Sequence, residues 1–198
     1  SQERPLKMVL NNLKIVLKDR VIENGFIVIE NDKIVSIGKG SYDGAAIDCK
    51  GKIAMSGFID IHIHGSSNID FMDASASDYK TIPDSLYREG VTTFLATTLT
   101  SDNESLLRVA KAVREAKNSV PSLGGIHFEG PYISAKHKGA QNEAFIRDPN
   151  IEELKVLQEA SGNNVRYIAL APEKNGALDF IKEARKIGVV CSAGHTDA

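Results

Sequence analysis

The chain has 198 residues, of which 42% are hydrophobic, as expected for a globular protein with a sizeable core. Its formal net charge is -2 at pH 7, so no broad basic field favours nucleic acid or an anionic membrane as a partner. No apolar run approaches the length of a membrane span, and no leader-like segment opens the chain. Two cysteines argue against a disulfide framework, and we expect a cytoplasmic protein with reduced thiols.

Short β-type runs, separated by turns rich in Asn, Asp and Gly, fill residues 1–54. The pair Asn31 and Asp32 has the composition of a hairpin turn. No helical period of useful length occurs in this segment, which is therefore predicted to be a small β-structure. Its predicted strands are residues 13–17, 25–30, 33–37 and 52–55.

Residues 55–198 alternate between strand-like and helix-like patterns, which predicts βα units and a parallel sheet. The predicted strands are residues 58–63, 91–98, 123–128, 165–171 and 189–193. The predicted helices are residues 78–88, 102–117, 151–159 and 177–186.

Helix-end signals accompany these patterns. Ser101 and Glu104 form a potential capping box at the second helix, and Gly90 and Gly188 fall just past helix ends. A closed (β/α)₈ barrel needs eight strands and about 250 residues, whereas this pattern supplies about five. The predicted fold class is thus α/β, with either an open sheet or an incomplete barrel. Because the chain stops directly after its fifth predicted strand, we expect a piece of a longer protein.

The pair His62 and His64 ends an apolar run. Residues two apart on a strand face the same side, so both imidazoles can converge on one ion. The simpler alternative is that the two histidines cap a strand and bond to each other or to nearby backbone groups.

Other metal-ligating residue types also follow predicted strands: His127 and Glu129 at the third, and His195 at the fifth. Parallel α/β folds place their chemistry at this edge. Taken alone, Glu129 could pair with Lys136 and His195 could bond to backbone, but together these residues predict a metal site. We expect His127 to have a packing or supporting role and His137 to be a solvated loop residue.

Other chemistries find less support. No nucleophile elbow, phosphate-binding glycine loop or dinucleotide fingerprint occurs in a strand-to-helix context. Cys191 lies inside an apolar strand, so it is not predicted to be a nucleophile.

Residues 57–65 resemble the opening motif of the amidohydrolase superfamily, metal-dependent hydrolases that combine a (β/α)₈ barrel with a β-sandwich. Five further motifs are similar to those of the N-acetylglucosamine-6-phosphate deacetylase family. The resemblance implies that residues 55–198 are the first part of a TIM-type barrel, with about five βα units, and that residues 1–54 belong to an incomplete small β-sandwich segment. The further motifs are residues 90–98, 127–133, 138–142, 170–173 and 192–196.

The resemblance also implies an activity: hydrolysis of the acetamide of N-acetyl-D-glucosamine 6-phosphate to D-glucosamine 6-phosphate and acetate, in amino-sugar catabolism. It makes Glu129 and His195 ligands of a divalent metal, zinc or iron. His62 and His64 would hold a second ion, which they permit without requiring it.

Ala140 and Gln141 match the loop whose backbone and side chains contact the sugar in this family. Ser66 and Ser67 stand where relatives often have glycines, which leaves the conformation of that loop open. The resemblance implies that the family's proton-shuttling aspartate and a further histidine ligand do not lie in this chain. Its phosphate-binding side chains, partly donated by a dimer partner, are expected beyond Ala198 or outside the matched motifs. We therefore expect residues 1–198 alone to be inactive and the whole protein to be a homodimer.

Two alternatives stay open. Some cyclic-amide hydrolases of the same superfamily use a carbamylated lysine at the end of the fourth strand, whereas here residues 170–172 end that strand and Lys174 lies further out. A non-catalytic module that binds a metal or a sugar phosphate is the alternative from another class.

Overall fold

A computed structural model describes residues 6–198, and the chain divides into two compact units. The first unit ends at Ser56 and the second is Gly57–Ala198. Within residues 6–198 no helix is both long enough and apolar enough to cross a membrane. Both cysteines are free thiols, with Cys49 in the first unit and Cys191 in the second.

The first unit is built from β-strands, as predicted. The strands are β1 (Lys7–Val16), β2 (Val21–Glu30), β3 (Lys33–Lys39), β4 (Ile47–Asp48) and β5 (Ile53–Ala54). The three long strands pair in antiparallel fashion, while β4 and β5 run parallel to β1. A small apolar cluster centred on Leu13, Ile15 and Ile27 holds this sheet together.

Residues with positive φ shape two parts of this sheet. Asn31 and Asp32, at φ 49° and 62°, form the turn between β2 and β3 that the sequence predicted. Asn12, at φ 56°, coincides with a shift of register in β1 between Leu10 and Leu13. The shift breaks the apolar alternation, which explains why the sequence predicted only the second half of β1.

The second unit alternates strands and helices, which confirms the α/β class. Its first half contains β6 (Phe58–Ile63), β7 (Gly65–Ser66), β8 (Ile69–Asp70), α1 (Ile82–Arg88), β9 (Val91–Thr98) and α2 (Asn103–Ala116). Its second half contains β10 (Leu123–Glu129), α3 (Ile151–Ala160), β11 (Val165–Leu170), α4 (Ala177–Lys186) and β12 (Val190–Ala193). Two short 3₁₀ helices, Asp78–Lys80 and Glu143–Phe145, complete the unit.

Five of these strands form one parallel sheet in the order β12-β11-β10-β9-β6, while β7 and β8 pair as a separate hairpin. The main core contains buried side chains from the sheet and from all four helices, including the fully buried Phe94, Leu106, Phe128 and Leu154. Since all five strands run the same way, their carboxyl ends share one edge.

Two helix-end predictions are confirmed and one is wrong. Gly90 and Gly188 follow α1 and α4 with φ 82° and 80°, the left-handed conformation that favours glycine there. The capping box of Ser101 and Glu104 does not form. Instead Asp102 is the N-cap of α2, because its carboxylate accepts a hydrogen bond from the amide of Ser105.

The loop after the histidine pair is the hairpin of β7 and β8. Ser67 and Asn68 form its two-residue turn, with φ 55° and 63°. A Cβ added to Gly65 would lie 1.9 Å from the carbonyl oxygen of Ile69, so the close approach of the two strands requires glycine there. The serines at positions 66 and 67 are thus compatible with a tight turn.

Candidate metal centre

Four side chains with metal-ligating atoms meet at the carboxyl edge of the parallel sheet. His62 lies in β6 and His64 follows it directly, Glu129 ends β10, and His195 follows β12. The structure therefore brings together the four residues that the sequence placed at one edge.

Glu129 lies at the centre of this group. Its Oε1 is 3.1 Å from Nε2 of both His62 and His195, and its Oε2 is 3.1 Å from Nε2 of His64. The carboxylate side chain is only 8% exposed, whereas those of His62, His64 and His195 are 44%, 38% and 27% exposed. A buried negative charge thus lies against three imidazoles that solvent can reach.

The hydrogen bonds of His195 show which of its ring nitrogens carries a proton. Nδ1 lies 2.8 Å from the carbonyl oxygen of His137, and a carbonyl only accepts, so Nδ1 must donate. In a neutral ring, Nε2 then presents a lone pair to Glu129 Oε1, which is also an acceptor. Both atoms therefore have lone pairs directed at the space between them, as the ligands of a shared cation would.

The donor set suits a divalent cation. Among the described residues, the ligand atoms of His62, His64 and Glu129 all lie within 4.8 Å of one another, which makes them a group that could hold a metal ion. Nε2 of His62 and of His64 are 3.3 Å apart, and His195 joins the group through Glu129 Oε1. Imidazole nitrogens with a carboxylate oxygen are ligands that zinc and iron both accept.

Side chains from β9 and β10 hold the backbone around the histidine pair, where the register between β6 and β9 shifts. The hydroxyl of Thr97 accepts a hydrogen bond from the amide of Ile63 at 3.0 Å. Nδ1 of His127 donates to the carbonyl oxygen of Ile61 at 2.7 Å. These bonds tie the end of β6 to β9 and β10 beside the histidine pair.

His127 lies beside the group without joining it. It is 4% exposed, and its ring packs between those of His62 and Tyr167, with centroids 4.9 and 5.7 Å away. Burial lowers the pKa of His127 below its usual value, so the ring stays neutral. Its Nε2 has no hydrogen-bond partner within residues 6–198.

The turn directly after Glu129 requires a glycine. Gly130 has φ 83°, and an added Cβ would lie 2.1 Å from the hydroxyl oxygen of Thr100. That hydroxyl donates to the carbonyl oxygen of Glu129 at 3.2 Å. Gly130 therefore lets Thr100, just after β9, come close enough to the end of β10 to hydrogen-bond to the Glu129 backbone.

The two residues predicted to contact the substrate differ in their surroundings. Ala140 is exposed, whereas Gln141 is 5% exposed and turned inward. The Gln141 side chain donates to Glu129 Oε2 and accepts from the amide of Thr100, both at 2.7 Å. Sequence reasoning missed the contact with Glu129 because Gln141 lies twelve positions later, in the irregular loop that follows β10.

A second network, also missed from the sequence, lies outside the group. Asp197 accepts from Lys136 at 2.8 Å and lies 2.7 Å from Nε2 of His137. The carboxylate of Glu173 accepts from the Asp197 amide and the Thr196 hydroxyl, and these bonds lower the pKa of Glu173.

This network changes two expectations from the sequence. Lys136 pairs with Asp197 rather than with Glu129, and His137 bonds to Asp197 instead of being a merely solvated loop residue. Asp197, an acidic residue two positions after His195, was the feature of the sequence that could have indicated this network.

A comparison with protein-family models matches residues 53–198 to the amidohydrolase family. This match covers most of the chain and the whole second unit. The chain belongs to the amidohydrolase family. Members of this family are metal-dependent hydrolases, in agreement with the donor set at the sheet edge.

Curated relatives of this amidohydrolase carry a narrower name. It is 34% identical over 201 residues to the N-acetylglucosamine-6-phosphate deacetylase of Bacillus subtilis, covering 96% of this chain and 51% of the relative. It is 38% identical over 179 residues to the protein of that name from Vibrio furnissii, covering 86% of this chain and 44% of the relative. The chain thus spans about half the length of the curated relatives it matches.

Solved structures agree with this similarity. The N-acetyl-D-glucosamine-6-phosphate deacetylase of Mycobacterium smegmatis, solved in complex with N-acetyl-D-glucosamine-6-phosphate, superimposes with a TM-score of 0.87 at 31% identity. The superposition covers 97% of this chain and 50% of that one. Most of both described units therefore has a counterpart in about half of a deacetylase of known structure.

Lys174, the residue closest to a carbamylated-lysine position, lies outside the group of His62, His64 and Glu129 that could hold a metal ion. Its Nζ pairs with Asp148 at 3.3 Å, and its side chain is 18% exposed. The lysine-bridged arrangement of the cyclic-amide hydrolases is therefore not favoured for this amidohydrolase.

Proposed function

We propose that this chain is part of a hydrolase that removes the acetyl group of N-acetyl-D-glucosamine 6-phosphate, yielding D-glucosamine 6-phosphate and acetate in amino-sugar catabolism. The observation that carries the proposal is the buried Glu129 carboxylate with three imidazole nitrogens 3.1 Å from its oxygens. The names of the relatives supply the substrate, because the sheet edge by itself suits several amides.

Four residues would hold the metal: His62, His64, Glu129 and His195. An amide carbonyl is a poor electrophile, and a divalent cation, zinc or iron, would polarise it and lower the pKa of water at the site. With three imidazoles around one central carboxylate, these residues could hold one ion or two. His195 Nδ1, bonded to the His137 carbonyl, keeps Nε2 directed at Glu129.

Ala140 is the better-placed of the two proposed substrate-binding residues. Ala140 is exposed and follows Gly139 directly. A Cβ added to Gly139 would lie 3.7 Å from the His195 ring, so the backbone at Gly139 and Ala140 runs next to the proposed metal ligands. Both polar atoms of the Gln141 side chain are occupied within the protein. The Gln141 contribution to sugar binding would therefore come from its backbone.

The proposal extends to the rest of the protein. Residues 55–198 would form the first part of a (β/α)₈ barrel, and residues 1–54 part of a small β-sandwich. A proton-shuttling aspartate, a further histidine ligand and the phosphate-binding residues would come from other parts of the protein, which we propose to be a cytoplasmic homodimer.

The test is an acetate-release assay on the intact gene product that carries this chain, loaded with Zn²⁺ or Fe²⁺. We expect turnover of N-acetyl-D-glucosamine 6-phosphate, and much slower turnover of unphosphorylated N-acetyl-D-glucosamine and of the 4-epimeric N-acetylgalactosamine 6-phosphate. Turnover of a cyclic amide such as dihydroorotate with no acetate release would contradict the proposal. Binding of the sugar phosphate by the metal-loaded protein without hydrolysis would favour a non-catalytic module instead.

A further inference from the structure

Gln141 is the buried polar side chain whose contacts the proposed function leaves unexplained. It lies in the loop between β10 and α3, where its amide donates to the carbonyl oxygen of Lys138 and closes a tight turn. Its side chain is 5% exposed and points inward at Glu129, which is 6% exposed. Burial of this kind is costly for an amide unless each polar atom has a partner.

The orientation of the Gln141 amide is fixed by its two partners. The backbone nitrogen of Thr100 can only donate, so the side-chain oxygen must face it, at 2.7 Å. The side-chain nitrogen must then face Glu129 Oε2, also at 2.7 Å. A flipped amide would put two donors together at Thr100 and two acceptors together at Glu129.

We propose that Gln141 is a positioning residue that holds the Glu129 carboxylate in the orientation needed to bind the cation. The inference rests on the proposed function only in taking Glu129 as a metal ligand. By donating to Oε2, Gln141 stops the carboxylate from rotating about its terminal torsion. Oε1 then stays between His62 and His195, while Oε2 keeps its contact with His64.

A neutral donor suits this role better than a charged one. A lysine or arginine at position 141 would neutralise the Glu129 charge and repel a cation at close range. The glutamine amide orders the carboxylate while leaving its negative charge available to the metal. Because Thr100 follows β9 and Glu129 ends β10, the Gln141 bridge also fixes the separation of these two strand ends.

The experiment measures metal affinity in the intact gene product with a matched control. Gln141→Met keeps the length of the side chain and removes both hydrogen bonds. Gln158→Met makes the same change at a buried glutamine of α3, 7% exposed, whose side chain bonds, within residues 6–198, to the Ser161 hydroxyl and to backbone groups of Val165 and Ile187. Affinity for Zn²⁺ is measured by competition with a chromophoric chelator, and the absorption spectrum of bound Co²⁺ reports ligand geometry.

We expect Gln141→Met to weaken Zn²⁺ binding by roughly 10–100-fold and to alter the Co²⁺ spectrum, as loss of an outer hydrogen-bond partner does at metal sites. Gln158→Met should leave both unchanged, even if both variants unfold at a lower temperature. Gln141→Asn, which is too short to reach both partners, should weaken binding in the same direction.

Unchanged Zn²⁺ affinity in Gln141→Met, or equal loss in Gln141→Met and Gln158→Met, would overturn the inference. A raised KM with unchanged metal binding would overturn it too, in favour of a substrate contact by the side chain. The proposed function fails separately: a protein whose Zn²⁺ affinity falls on substitution of Glu129 or Gln141, but which releases no acetate as wild type, would refute the deacetylase activity and leave this inference standing.

Discussion

Glu129 is a single buried carboxylate with five polar neighbours. Three imidazoles and the Gln141 amide surround its two oxygens, and the Thr100 hydroxyl bonds to its backbone carbonyl. A carboxylate is costly to bury unless its charge is compensated, and a cation among the three imidazoles would provide that compensation.

Cys191 provides a prediction at the residue scale. Burial raises the pKa of its thiol to about 11, so little of the reactive thiolate exists near neutral pH. In the Cys49→Ser variant of this chain, we expect alkylation of Cys191 by iodoacetamide at pH 8 to be about 100-fold slower than that of N-acetylcysteine. Mass spectrometry follows the reaction, and the urea-unfolded variant is the control. Rates equal to those of the free thiol would show that Cys191 is not protected.

At this scale the sequence predicted which residues meet, because the side chains of His62, His64, Glu129 and His195 follow parallel strands whose ends share an edge. The sequence did not predict that the Gln141 side chain bonds to Glu129 and Thr100. The orientation of a loop side chain depends on tertiary contacts such as the Thr100 amide, which no local pattern encodes.

The start of α2 provides a prediction at the element scale. The Ser105 amide bonds to Asp102 and lowers the pKa of that carboxyl, so this stabilisation is present above the unfolded value of about 3.9 and is lost as the pH falls through the folded pKa. Asp102→Ala should lower the thermal midpoint at pH 7 by about 1–3 °C, and the deficit should shrink as the pH falls below about 3.9. Circular dichroism follows the melts.

Ser101→Ala is the matched control for this cap. Since Ser101 does not cap the helix, its substitution should change the midpoint by much less than that of Asp102. A larger loss in Ser101→Ala than in Asp102→Ala would restore the capping box that the sequence suggested.

Elements were more predictable than their ends. Periodicity located all five strands of the parallel sheet, because apolar runs bounded by turn residues are strong local signals. The cap of α2 was misassigned by one residue, since Ser101 and Asp102 are both good N-caps and only backbone conformation decides between them. The start of β1 was missed because Asn12 interrupts its alternation.

At the scale of the whole molecule, the two edges of the parallel sheet predict that the active protein needs further strands. Within residues 6–198, β6 and β12 each pair with one neighbour in this sheet, and Phe58, Ile59 and Val190 on these strands are 57%, 65% and 49% exposed. A closed barrel would need more strands between β12 and β6.

We therefore expect residues 1–198, expressed alone and loaded with Zn²⁺, to release acetate from N-acetyl-D-glucosamine 6-phosphate at no measurable rate. The intact gene product under the same conditions is the positive control. Comparable turnover by both proteins would show that residues 1–198 contain every group that the reaction needs.

The central claim is that Glu129 binds the metal that performs the hydrolysis, and metal content measured together with acetate release tests it most directly. In the intact gene product, Glu129→Gln should bind less metal than wild type, and its turnover should fall by at least roughly 100-fold, since even outer partners of ligands cost 10–100-fold. Glu159→Gln, at an exposed position of α3, should match wild type in both measurements. Unchanged metal content and turnover in Glu129→Gln would contradict the account.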